Sequence, residues 1–232
     1  MMQSETRWHV VDDARELARV ACERVLVAAA EAIAARGRFD VVLAGGTTPQ
    51  RCYERLATAT AGWSAWHVWF GDERCLGADD ADRNSVMARD AWLGAVAIPS
   101  NQIHVVRAGR DAHEAARDYA AELVAVDVFD LVLLGLGEDG HTASLFPGHD
   151  WGEAADAPAM LAVTDAPKPP SARVSMSAAR LSRARQVLFL VDGEGKRDAL
   201  ARWRAGARIP AAAIRPDAGV DVLAVASLLT GT

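Results

Sequence analysis

FDLVLLGLGEDGH, residues 129–141, joins an apolar run to a polar turn. Its first part, Phe129–Leu134, is almost uniformly apolar over the length of a typical strand. Its second part, Gly135–His141, is polar and rich in glycine, which is typical of a turn that follows a strand. Strands that are apolar on both faces occur mainly in parallel sheets covered by helices. The stretch therefore predicts an α/β fold.

Similar short apolar runs occur along the rest of the chain and alternate with segments of helical periodicity. We predict further strands at Asp40–Ala44, His67–Phe70, Gln102–Val106, Gln186–Val191 and about Val220–Ala226. Apolar spacings of three and four predict helices at Asp13–Ala35, from Thr48 onward, and at Ser85–Leu93, Asp111–Val126 and Lys196–Trp203. This alternation is typical of a three-layer sandwich with a mostly parallel, Rossmann-like central sheet. We expect one domain over residues 1–232, with the stretch 154–170 as a surface excursion.

The composition limits the classes of partner. The 232 residues include 25 Lys and Arg against 31 Asp and Glu, a net charge of −6. A general binder of nucleic acid or anionic membranes needs a basic surface, so we expect neither partner. The three cysteines show no CxxC spacing, the charged start shows no signal-peptide pattern, and no apolar run is long enough to span a membrane. We expect a soluble cytoplasmic protein, either a monomer or a small homo-oligomer.

The turn Gly45-Gly46-Thr47-Thr48-Pro49 lies between a predicted strand and a predicted helix. Glycines let a backbone approach an anion closely, and a helix N-terminus presents free N–H groups with the positive end of the helix dipole. These features suit a phosphate monoester. An ordinary tight turn in which Thr48 caps the helix and Pro49 occupies its first turn fits the sequence equally well.

A second polar turn, Gly71-Asp72-Glu73-Arg74, also follows a predicted strand. Arg74 could bind phosphate through two parallel hydrogen bonds, and Asp72 could act as an acid or base or orient Arg74. For an isolated triplet, a solvated charge cluster is the more common explanation. Since ligands in such sheets bind beyond the carboxyl ends of the strands, we expect the polar turns to share one edge.

The third turn, Gly135–Gly140, spells the dinucleotide-binding pattern GxGxxG, but its context argues against that function. Pro147 follows too soon for the long helix that the pattern requires, and several strands precede the turn. Asp139 stands two residues before His141, where a carboxylate can orient an imidazole that acts as a general base. A hydrogen-bonded structural histidine is the alternative.

Two further cations are candidates for the same site, although a solvated surface charge is the default for each. Lys196, one of the chain's two lysines, follows a strand and a glycine turn, and Arg173 lies in the segment Ala-Arg-Val-Ser. His141 and His149 have no third ligand at metal-binding spacing. We therefore expect no metal site.

Taken together, these segments resemble the 6-phosphogluconolactonase family. The matching stretches are LAGGTTP (43–49), WFGDER (69–74), LLGLGEDGHTASLFPG (133–148), ARVSMSAARLSRARQVLFLVDGEGK (172–196) and IPAAAIRP (209–216). They occur in the family's order over most of the chain. The related glucosamine-6-phosphate deaminases resemble it only up to the histidine, and carry an Asn-Glu-Pro segment where this chain has Ser144-Leu-Phe-Pro147.

The resemblance implies roles for individual residues. His141 would activate water against a lactone carbonyl, with Asp139 orienting it. The 6-phosphate would be bound by the Gly45–Thr48 turn, Arg74, Arg173 and Lys196. The substrate-binding residues implied in all are Gly45, Gly46, Thr47, Thr48, Asp72, Arg74, Ser144, Arg173 and Lys196. The substrate would be the lactone of 6-phosphogluconate in the pentose phosphate pathway, hydrolysed without a cofactor or metal.

Two other functions remain open from sequence. One is an aldose–ketose isomerase or deaminase on the same fold. The other is a non-catalytic sugar-phosphate sensor, which is disfavoured by the acidic chain and by the lack of a helix-turn-helix segment before the first strand.

Overall fold

Six parallel strands form the central sheet of the computed structural model, which describes residues 5–107, 109 and 111–229. The sheet consists of β1 (Thr6–Val11), β2 (Phe39–Leu43), β3 (Trp66–Phe70), β5 (Phe129–Gly135), β8 (Ala184–Val191) and β9 (Val220–Val225). Their order across the sheet is β1-β9-β8-β5-β2-β3. A smaller antiparallel sheet, in the order β4-β7-β6, contains β4 (Asp72–Arg74), β6 (Met160–Val163) and β7 (Arg173–Met176). The predicted α/β class and mostly parallel sheet are confirmed.

Helices cover both faces of the central sheet. They are α1 (Ala14–Arg36), α2 (Thr47–Leu56), α3 (Asn84–Ala88), α4 (Ala112–Leu123), α5 (Ala178–Ser182) and α6 (Arg197–Arg204), and a single π-helical turn, Arg89–Leu93, continues α3. None of the helices in the described ranges combines the length and apolarity that a membrane crossing requires.

The apolar core lies in two layers separated by the sheet. Leu131 and Leu133 of β5 pack in the layer that α1 and α2 cover, whereas Val132 and Leu134 pack in the layer that α4 and α6 cover. Because successive side chains of a strand point to opposite faces, a strand buried on both sides needs the near-continuous apolar run seen in β5.

One predicted strand is wrong, and one strand of the sheet is not predicted by the sequence. The segment Gln102–Val106 is not a strand; it touches the edge strand β3 at one bridge, between Ile103 and Val68. The sixth strand is instead β1, whose mixed sequence TRWHVV lacks a continuous apolar run. β1 is an edge strand with Val10 exposed, and Arg7 forms an ion pair with Asp221 of the neighbouring strand at 2.8 Å. An edge strand can carry such polar residues, which hid it from the apolar pattern.

Candidate active site

A cleft of about 230 Å³ opens at the carboxyl ends of the parallel strands. As predicted, all three polar turns meet there. The described residues that line the cleft are Ala44, Gly45, Gly46, Thr47, Thr48, Pro49, Asp72, Arg74, Asn84, Gly135, Leu136, Gly137, His141, Thr142, Ala143, Arg173, Leu190, Asp192 and Lys196. The topology explains the convergence, because parallel strands end at one edge of the sheet.

The first turn of α2 lines the cleft. The helix begins at Thr47, with Gly46 as N-cap at a φ of 99°, a conformation that favours glycine. Among the residues that the structure describes, no side chain caps this end, so the alternative in which Thr48 is the N-cap is wrong. An uncapped helix N-terminus in an open cleft leaves backbone donors for an anion.

A buried carboxamide links this turn to the second one. A Cβ on Gly45 would lie 2.0 Å from Oδ1 of Asn84, so only glycine leaves room for the amide. Nδ2 of Asn84 donates to the main-chain oxygen of Asp72 at 2.9 Å and to its Oδ1 at 3.0 Å. No sequence pattern pointed to Asn84, because its contacts are made across the fold.

Ser144 supports the same carboxylate from the other side. Its hydroxyl donates to Oδ2 of Asp72 at 2.6 Å, and the residue is buried. Ser144 is not part of the cleft wall. Ser144 thus holds Asp72, which does line the cleft, and a direct contact between Ser144 and the substrate stays a prediction.

Arg74 and Arg173 lie directly opposite each other in the small antiparallel sheet. Nε and Nη2 of Arg173 donate to the main-chain oxygens of Pro170 and Lys168, at 3.0 and 2.9 Å. Burial lowers the pKa of Arg173, while nearby Asp72 raises it and Arg74 lowers it further. Like charges facing each other across strands are destabilising. An anion between the two guanidinium groups would relieve that repulsion.

Lys196 lies in the cleft wall, whereas Glu73 serves the fold. Lys196 ends a short helical turn after β8 and lines the cleft. Neighbouring Asp192 forms an ion pair with Arg51 at 2.9 Å. Glu73, by contrast, is fully buried and accepts hydrogen bonds from the backbone N–H groups of Asn84 and Ser85, at 2.7 and 2.9 Å. Glu73 therefore fixes the start of α3 and does not face the cleft.

The third turn presents a histidine–carboxylate pair. Nδ1 of His141 lies 2.5 Å from Oδ1 of Asp139, which also accepts the backbone N–H of His141 at 3.0 Å. Partial burial raises the pKa of Asp139, but the hydrogen bonds from His141 outweigh it, and the pKa lies below its ordinary value. In the tautomer of a neutral imidazole that donates Nδ1–H to this carboxylate, the lone pair is on Nε2, which is the arrangement that a general base needs.

The turn is shaped around this imidazole. A Cβ on Gly137 would lie 2.0 Å from Nδ1 of His141. Ala143, also in the cleft wall, has a φ of 48°, which is unusual for a residue other than glycine. Such backbone conformations persist where the surroundings enforce them, and they are common at functional sites.

Neither a metal centre nor a cysteine nucleophile is indicated. In the ranges that the structure describes, no three His, Cys, Asp or Glu side chains are grouped so that they could hold a metal ion. Burial raises the pKa of the Cys75 thiol beside Arg74, which keeps it in the protonated, poorly nucleophilic form.

Comparisons with known proteins relate the chain to one family. Residues 12–223 match the family described as glucosamine-6-phosphate isomerases/6-phosphogluconolactonase. A 6-phosphogluconolactonase from Synechocystis is 39% identical over 78% of this chain and 80% of its own. One from Mycobacterium tuberculosis is 37% identical over 88% of this chain and 89% of its own. The crystal structure of a 6-phosphogluconolactonase from Thermotoga maritima superposes with a TM-score of 0.88 at 26% identity, covering 95% of this chain and all of the other.

Proposed function

Because the chain belongs to the glucosamine-6-phosphate isomerase/6-phosphogluconolactonase family, we propose that its cleft binds the phosphate of 6-phospho-D-glucono-1,5-lactone and hydrolyses the ester with His141 as general base. The chain is a hydrolase with 6-phosphogluconolactonase activity, which belongs to the pentose phosphate pathway. The resemblance found in the sequence motifs is thus confirmed. The observation that carries the mechanism is one cleft lined by both facing arginines and by His141, whose Nδ1 contacts Asp139.

We assign the phosphate to the end of the cleft where the α2 N-terminus and the cationic side chains converge. The turn Gly45–Thr48 supplies backbone donors, and Arg74, Arg173 and Lys196 supply positive charge. Guanidinium groups bind phosphate oxygens through paired, charge-assisted hydrogen bonds. This anchor accounts for an anionic substrate on a chain whose net charge is −6.

In the chemical step, Nε2 of His141 takes a proton from water as the water oxygen bonds to the lactone carbonyl carbon. The π electrons of the carbonyl move onto its oxygen. Backbone N–H groups of the turns around the cleft stabilise the resulting negative charge by hydrogen bonding. The tetrahedral intermediate then collapses, the bond to the ring oxygen breaks, and that oxygen takes the proton from the imidazolium. The product is the open-chain acid, 6-phosphogluconate, which ionises and releases a proton.

The general base needs to contribute only a modest part of the rate acceleration. A lactone already hydrolyses in water, and general-base catalysis typically contributes about 10²–10⁴-fold. The phosphate is remote from the reacting carbon, so its binding energy serves to orient the carbonyl against His141.

The proposed function is tested by following acid release from 6-phosphogluconolactone generated in situ, with and without the protein. We expect acceleration well above the spontaneous rate for the phosphorylated lactone, and little or none for gluconolactone. Product analysis completes the assay, because an isomerase would give a ketose and a deaminase would release ammonia. A folded sample that leaves the spontaneous rate unchanged would contradict the proposal, and ligand binding without turnover would favour a sensor.

Arg74→Ala is expected to act on binding more than on chemistry. Losing a charge-assisted hydrogen bond to phosphate should raise KM for the phosphorylated lactone by about 10- to 100-fold, with a smaller change in kcat. Arg89→Ala is the matched control, because Arg89 is exposed and pairs with Asp79 and Asp90 away from the cleft wall. An unchanged KM in Arg74→Ala would remove Arg74 from the phosphate site.

The proposal includes a cytoplasmic location. It is supported by the three cysteines, Cys22, Cys52 and Cys75, which are all free thiols in the structure. Free thiols are typical of proteins that work in a reducing compartment.

A further inference from the structure

Phe146 is buried against the imidazole of His141. The two ring centroids are 4.9 Å apart, their planes are inclined by 47°, and only 2% of Phe146 is exposed. The hydrogen bond from Nδ1 to Asp139 fixes one atom of the imidazole but leaves the ring free to turn about that contact. Packing against Phe146 restrains this remaining freedom.

The same phenyl ring also contacts the anion-binding side of the cleft. The guanidinium carbon of Arg173 lies 5.6 Å from the centroid of Phe146, within the range of a cation–π contact. Arg173 is 6% exposed, so this contact is largely shielded from water. One aromatic ring therefore lies against both the imidazole and a guanidinium group of the site.

Phe146 is itself firmly held. Its main-chain oxygen accepts hydrogen bonds from Nε1 of Trp151 at 2.6 Å and from the backbone N–H of His149 at 3.2 Å. The ring of His149 packs edge-on against the ring of Phe146, with the two centroids 5.9 Å apart. Val163 and Ala166 complete a small apolar cluster around it. The ring thus has a fixed place from which to position its neighbours.

We propose that Phe146 is a positioning residue that sets the imidazole of His141 and the guanidinium of Arg173 relative to each other. The inference rests on the proposed function, in which the two groups act on opposite parts of one substrate. Because the Phe146 ring contacts both the imidazole and the guanidinium group, it would keep the distance from the bound phosphate to the base constant. Displacement of a reacting group by about 1 Å can cost about 100-fold in rate, so a shared support has a large effect.

The test compares Phe146→Leu with two other variants. Phe146→Tyr retains an aromatic ring, and Val163→Ala removes methyl groups from the same apolar cluster without touching the His141 ring contact. Two quantities are measured on each folded variant: kcat with 6-phosphogluconolactone, which reports on His141, and Kd for 6-phosphogluconate by calorimetry, which reports on Arg173. Thermal unfolding checks the fold, and Phe146→Met replaces Phe146→Leu if the latter does not fold.

We expect Phe146→Leu to lower kcat by about tenfold or more because the imidazole loses its support. We expect its Kd for 6-phosphogluconate to rise about fivefold because the guanidinium loses a shielded cation–π contact. Phe146→Tyr should have a kcat and a Kd close to those of the wild type. Val163→Ala should lower the unfolding temperature but keep kcat and Kd within about twofold of the wild-type values.

Other results would overturn the inference. One is a Phe146→Leu variant with unchanged kcat and Kd, and another is a Phe146→Tyr variant as impaired as Phe146→Leu. A third is a Val163→Ala variant with the same losses, which would show that any loosening of the apolar cluster has this effect. Failure of the proposed function is distinguishable, because then the wild type itself would not accelerate hydrolysis.

Discussion

Replacing His141 by alanine is expected to lower kcat for 6-phosphogluconolactone by about 10²–10⁴-fold, the usual contribution of a general base. The loss should fall on kcat, because the substitution does not touch the proposed phosphate anchor at Arg74 and Arg173. The fold should remain intact, since the side chain lies in an open cleft and not in the core. The measurement is acid release with the spontaneous rate subtracted, together with Kd for 6-phosphogluconate, which should change little.

His113→Ala is the matched control for this substitution. His113 is an exposed residue in the first turn of α4, so its loss should leave kcat unchanged. If His141→Ala retained turnover close to that of the wild type, the general-base assignment would be wrong and another group in the cleft would have to activate water.

Gly137→Ala is expected to lower kcat by about 100-fold although it adds a single methyl group. The new Cβ would stand 2.0 Å from Nδ1 of His141, a separation that atoms cannot adopt, so the imidazole must move. Its hydrogen bond to Asp139 would then break or bend, and Nε2 would no longer face the bound carbonyl. The measurement is kcat together with a crystal structure or a histidine NMR spectrum that reports the displaced ring.

Gly77→Ala controls for the general effect of placing alanine at a loop glycine. A Cβ on Gly77 meets nothing within 4 Å, and Gly77 lies outside the cleft wall. A Gly137→Ala variant with wild-type kcat would show that the turn can yield without disturbing the histidine, and that the close approach is not needed for activity.

The fold and the location of the candidate site can be predicted from local sequence patterns. The residues that hold the site's side chains in place cannot. The apolar run Phe129–Leu134 indicates a strand buried on both faces, and the rule that parallel strands end at one edge then brings the turns at Gly45, Asp72 and His141 together. These steps need only periodicity and topology.

Other features depend on contacts between residues far apart in the chain. Asn84 is bound to Asp72, and Phe146 packs against Arg173, but neither pairing has a sequence signature. The edge strand β1 was missed for a related reason, since its charged residues are satisfied by Asp221 on the neighbouring strand. Patterns that assume a buried strand do not detect this kind of pairing.

The proposed phosphate anchor also has a consequence for product release. The phosphate group is the same before and after ring opening, so in the proposed anchor Arg74 and Arg173, which face each other across the small sheet, would hold 6-phosphogluconate about as firmly as the lactone. We therefore expect 6-phosphogluconate to inhibit the enzyme, and inorganic phosphate or sulfate in an assay buffer to compete for the same two guanidinium groups. In the cell, the rate of lactone hydrolysis would then depend on how quickly the next enzyme removes the product.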